Sequence, residues 1–111
     1  MLSLGGEMGE ERRRAERHFF CAQAELLEPR TQVRVPSRIS DLSLYGCYLD
    51  MMNPFPPDTV VSLKITSGDE TFEANSRIVH ATPNVGAGAA FLDLASKDRD
   101  LLERWLRKAA R

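Results

Sequence analysis

Cysteine is scarce in this chain, two residues in 111, and Cys21 and Cys47 lie too far apart to form a CxxC pair. That spacing leaves zinc ribbons and thioredoxin-like redox chemistry without ligands, and both thiols are expected to be reduced and buried. Histidine is equally sparse. His18 and His80 form no HxxxH-type spacing, so no metal site is expected. Aromatic residues make up 7% of the chain, too few for the stacking platform of a single-stranded nucleic-acid binder. An excess of one charge is also lacking: 15 Lys and Arg against 16 Asp and Glu leave a net charge of −1, which disfavours bulk attraction to a phosphate backbone. No apolar run approaches the roughly 18 residues of a membrane span. The opening MLSLGGEMGE has neither the basic start nor the apolar stretch of a secretory signal, so a cytoplasmic location with no membrane partner is expected.

What is present suits a globular protein. The composition is 42% apolar and 28% charged, and the length fits a single domain. A chain of this size buries roughly two-thirds of its unfolded surface, enough for a core without metal or disulfide staples. The charges are unevenly placed. Residues 1–17 carry four Arg and four Glu, residues 18–95 five basic against nine acidic groups, and residues 96–111 six basic against three acidic. All four arginines of the first segment, Arg12, Arg13, Arg14 and Arg17, fall within six residues, which concentrates guanidinium groups at one place.

Residues 1–10 hold three glycines and no apolar periodicity, and read as a mobile tail. Beyond them the pattern becomes that of short strands. Phe19–Leu27 and Gln32–Ile39 form a hairpin across the turn signal Glu28-Pro29-Arg30, with Pro36 marking an edge, bulge or crossing. Gly46–Met51 is a further strand, followed by a rigid loop at Asn53-Pro54-Phe55-Pro56-Pro57-Asp58. Val61, Leu63 and Ile65 alternate with polar positions, Ser67-Gly68-Asp69-Glu70 makes a turn, and Thr71–Ala81 returns with Phe72, Ala74, Ser76, Ile78 and His80 on one face. Ala87–Leu94 is the last strand. Strands about ten residues apart with no helix between them point to a barrel or sandwich. From Ser96 the period changes: Leu101, Leu102, Trp105, Leu106 and Ala109 make one apolar stripe on a helix, with Ser96 as cap, Asp98 and Asp100 at its positive end, and Arg107, Lys108 and Arg111 at its negative end.

No nucleophile, base and orienting group can be assembled, so no enzyme is expected. His80 reads as a packed strand residue and His18 as a strand-entry residue. Two short motifs remain. Arg13-x-x-x-Arg17 offers planar forks of donors suited to phosphate oxygens or a guanine edge. Asp41-Leu42-Ser43-Leu44-Tyr45-Gly46 places a carboxylate, which can accept from N1–H and N2–H of guanine, a hydroxyl, and a glycine that permits close backbone approach.

An RxxxR followed about two dozen residues later by DxSxxG resembles the PilZ domain, the bacterial receptor module for cyclic di-GMP. The lead-in Glu11-Arg12-Arg13, the strand Gly86-Ala87-Gly88-Ala89-Ala90-Phe91 and the terminal helix are similar to that family too, so the likeness covers about residues 11–108. It implies a six-stranded antiparallel β-barrel with a C-terminal amphipathic helix: an arginine arm at 11–17, a barrel at 18–95 and a helix at 96–111. By the same resemblance, Arg13 and Arg17 would grip the phosphates and guanine edge, Asp41 and Ser43 would hold a base, and Gly46 would keep the turn open. Arg12 would bear on whether one ligand or a stacked pair binds, with two per chain expected. Arg14 has no assigned contact, and Gly86 and Gly88 read as fold residues. The implied function is a receptor that changes conformation on binding cyclic di-GMP and relays it to a protein partner or through a homodimer. The alternative is a ligand-independent interaction domain.

Overall fold

The computed structural model describes residues 16–110. The tail expected at 1–10 lies outside the described residues, as do Arg12, Arg13, Arg14 and Arg111. Six strands, β1 His18–Glu28, β2 Val33–Leu42, β3 Gly46–Asp50, β4 Val60–Ser67, β5 Glu70–Thr82 and β6 Gly86–Asp93, precede the helix α1 Ser96–Ala109. All pairings are antiparallel, and the strands close into a barrel in the order β1-β2-β3-β6-β5-β4, with β1 also paired to β4.

The alternation in the sequence explains the filling of the barrel. Val61, Leu63 and Ile65 of β4 and Phe72, Ala74, Ser76 and Ile78 of β5 all point inward and are buried, joined by Leu26, Ile39, Leu42, Leu49 and Ala87. The Ser67–Glu70 turn reverses through Gly68 at a φ of 63°, a conformation that costs glycine little. Pro36 sits opposite Glu25 of β1, whereas β3 reaches only to the level of Arg38. The residue that cannot donate a ladder bond thus lies where β2 has lost its second neighbour.

Three expectations are corrected. His80 does not share the inward face of Phe72 and Ile78, because a register shift between Ile78 and His80 turns it outward, where it is exposed. Cys21 is exposed on β1, and only Cys47 is buried. Ser96 does not cap α1: the preceding Ala95 occupies the cap position, with no side-chain bond, and its carbonyl accepts from Asp98 and Arg99 N–H. Asp98 is buried, and its carboxylate accepts from Glu73 N–H of β5 at 3.0 Å. It pins the start of the helix to the barrel as well as meeting the helix dipole.

The apolar stripe of α1 lies on the protein's own barrel. Trp105 is 2% exposed and stacks on Phe20 of β1 at 5.2 Å between ring centroids, with Phe72 at 6.2 Å. Its indole N–H donates to Glu70 Oε1 at 2.9 Å, and Arg104 also pairs with that carboxylate.

Candidate functional site

Asp41 faces outward because of a bulge. Ile39 is buried opposite Leu49, and strict alternation would turn Asp41 inward beside it. Instead the register shifts between Ile39 and Asp41, so Asp41 lies opposite Tyr48 while Leu42 enters the core opposite Cys47. A second shift, between Phe19 and Ala22 of β1, keeps Asp41 opposite Phe19. Bulges of this kind re-aim a side chain, and here they place a carboxylate on the surface that regular pleating would bury.

Arg17, immediately ahead of β1, donates from Nη1 to Asp41 Oδ2 at 3.4 Å across 24 positions of sequence. The guanidinium is 63% exposed and the carboxylate side chain 30%. Asp41 Oδ1 is buried, with no hydrogen-bond partner among the described residues. A buried carboxylate oxygen without a donor is rare and costly, and it marks a place where a further donor is wanted.

Ser43 and Gly46 close the turn from β2 to β3. Ser43 N–H donates to Gly46 O at 2.9 Å, Ser43 Oγ donates to the same oxygen at 3.4 Å, and Tyr45 N–H donates to Ser43 Oγ at 3.2 Å. Tyr45 O accepts from Phe91 N–H at 2.8 Å, which fastens the turn to β6. A Cβ on Gly46 would lie 2.1 Å from Ala89 O, so the glycine is needed for strand approach. Beneath this turn, burial pushes the Cys47 thiol up, with the Asp41 charge adding to the effect. Cys47 is therefore a protonated core residue without nucleophilic character.

Of the residues singled out in the sequence, Arg17 and Asp41 are in contact, Ser43 and Gly46 shape the adjoining turn, and Arg12 and Arg13 lie outside the described residues. The register also reveals neighbours that the motifs did not. Across β1, β2, β3, β6 and β5 a single row runs Phe19, Asp41, Tyr48, Gly88, His80. The His80 ring occupies the space above Gly88, where a Cβ would be 2.3 Å from its Cε1, and lies 6.2 Å from the Tyr48 ring. The only signal for Tyr48 in the sequence is its spacing two residues after Gly46; Phe19 and His80 join the row through pairings between distant strands. A groove of about 660 Å³ between Glu28–Thr31 and Phe55–Val60 has none of these residues in its lining.

The arm residue, the outward carboxylate and the closed barrel agree with one family, whose pattern matches residues 11–108. The chain belongs to the PilZ domain family. PilZ domains are binding and adaptor modules associated with cyclic di-GMP, not enzymes. Among solved structures, the PilZ domain of CeSA from a cellulose-synthesizing bacterium is similar at a TM-score of 0.68 and 19% identity, over 87% of this chain and 100% of that one. The Bacillus subtilis inhibitor of motility MotI/DgrA is similar at a TM-score of 0.68 and 15% identity, over 87% of this chain and 50% of its own. At such identities the likeness shows the PilZ fold alone. No curated protein matches the chain in sequence. Among the described residues no helix is long and apolar enough to cross a membrane, and no cluster of three or more metal-ligating side chains occurs.

Proposed function

We propose that this PilZ domain is a cytoplasmic, non-enzymatic receptor for cyclic di-GMP, held between the arginine arm and the outer barrel surface around Asp41. The observation that carries the reading is the half-satisfied carboxylate: Asp41 holds Arg17 through Oδ2, and its buried Oδ1 has no donor among the described residues. Guanine presents N1–H and N2–H side by side on one edge, a pair of donors that a carboxylate accepts in the plane of the base; adenine lacks this pair. Arg13 and Arg17 supply forked donors for the phosphates, Ser43 and Gly46 set the floor of the site, and Arg12 serves a second, stacked ligand. Binding changes the conformation of the domain and alters the surface offered to a protein partner or a second copy of the chain.

Titration calorimetry of the full chain with cyclic di-GMP tests this, with cyclic di-AMP and GTP as controls. Selective binding is expected, lost or strongly reduced in Asp41→Ala, and weakened by about 1.5–3 kcal/mol in Arg13→Ala or Arg17→Ala. An Asp41→Ala protein with undiminished affinity and selectivity would remove the role given to that carboxylate. A second reading, a ligand-independent interaction domain, draws on the Arg17–Asp41 ion pair, in which the two motif residues partner each other within the chain. It predicts no heat with cyclic di-GMP from a fully folded protein.

A further inference from the structure

Phe19 is 82% exposed, the most exposed large apolar side chain among the described residues. The fold has no visible use for it there. Its neighbour Phe20 carries the packing, stacked on Trp105, while Phe19 stands on the outer face of β1 directly opposite Asp41. On the far side of Asp41, the Tyr48 ring leans over β6 toward Gly86 and His80, away from the carboxylate. The space above Asp41 is thus bounded on the β1 side by an uncovered aromatic face.

We infer that Phe19 is a stacking wall for the base that Asp41 reads, an inference that rests on the cyclic di-GMP reading above. Cross-strand neighbours are separated by roughly 4.5–5.5 Å. A base standing on the Asp41 carboxylate therefore stands about that far from the Phe19 ring, within the 4.5–7 Å range of aromatic stacking. Covering Phe19 removes apolar surface from water, and the same placement supplies donors to the buried Asp41 Oδ1, so one planar, donor-edged ligand resolves both anomalies. Phe19 is a specificity residue for planar bases as a class, whereas Asp41 chooses among them.

The test is calorimetry with cyclic di-GMP on the full-length wild type, Phe19→Ala, Phe19→Leu and Phe19→Trp, with Phe19→Ala also combined with Asp41→Ala. Removing the ring should weaken binding about 5- to 150-fold, the size of one base–aromatic stack. Leucine keeps the apolar bulk without the flat π-face and should lose most of that factor. Tryptophan should bind within about threefold of wild type and show a ligand-dependent change in indole emission. In the double variant the two losses should be less than additive, because both groups hold the same base. Thermal melting without ligand should be unchanged in all three single Phe19 variants, since the side chain is exposed. Equal affinities of wild type and Phe19→Ala, or a leucine variant that binds like wild type, overturn the inference. Absence of binding by the wild type itself would instead overturn the cyclic di-GMP reading on which it rests.

Discussion

Gly46 and Gly88 face different obstacles, and that difference separates a structural glycine from a permissive one. A methyl group on Gly46 would meet the carbonyl of Ala89, which is backbone in a paired strand and cannot yield. A methyl on Gly88 would meet the exposed ring of His80, which can swing aside. Gly46→Ala is therefore expected to lose about 1–3 kcal/mol of stability in urea unfolding, the usual cost of overpacking, and Gly88→Ala to stay within about 0.5 kcal/mol of wild type. Equal losses would show that β6 shifts as easily as a side chain. At this scale the sequence was partly legible. Asp41, Ser43 and Gly46 form a local turn, and local chemistry can be read from neighbouring letters. The row from Phe19 to His80 could not be read that way, because it joins distant strands through three register shifts, one beside Phe19, one beside Asp41 and one beside His80, and the latter two turn a side chain outward that strict alternation would place inside.

The helix α1 was legible as an element, since its stripe is periodic and its basic end unmistakable, but its attachment was not. Its docking rests on Trp105 against Phe20 and Phe72, on Glu70 receiving Trp105 and Arg104, and on Asp98 receiving Glu73 N–H. Each of these joins residues distant in sequence. Trp105→Ala should cost about 3–5 kcal/mol, the range for truncating a buried aromatic, and lower the melting temperature by roughly 10 °C or more. The Trp105 hydrogen bond, followed by that of Arg104, holds the Glu70 carboxyl below its usual range. A group whose folded-state pKa is depressed adds stability above its unfolded pKa and loses it as pH falls through the folded value. Wild-type stability should therefore decline as pH drops below about 4.3, the ordinary Glu value, with a Glu70 contribution that is missing from Glu70→Gln. Identical acid limbs for the two proteins, measured by denaturant titration across that range, would detach Glu70 from the docking of the helix.

At the scale of the whole molecule, the near-zero net charge offers little bulk attraction, so on the proposed function the clustered arginines would have to hold the anion. On the proposed function, a second cyclic di-GMP brings two further phosphate charges, and Arg12 together with Arg13 and Arg17 offsets them where two guanidiniums would fall short. Calorimetry should therefore saturate at two ligands per chain, with Arg12→Leu moving the ratio toward one while binding remains detectable. Affinity should drop steeply with salt, because exposed charges are screened over about 8–10 Å at physiological ionic strength. Saturation of the wild type at one ligand in low salt would return Arg12 to the solvated lead-in. The closure of the barrel carries a consequence for timing. The seam joins β1 to β4, so the strand that bears Phe19 and follows Arg17 gains its second neighbour only after β2, β3 and the proline-rich loop have been laid down. Folding dominated by such distant pairings runs on a scale of milliseconds to seconds. During synthesis β1 precedes β4 yet gains its second neighbour only once β4 is made, so a chain interrupted before β4 would lack the closed barrel.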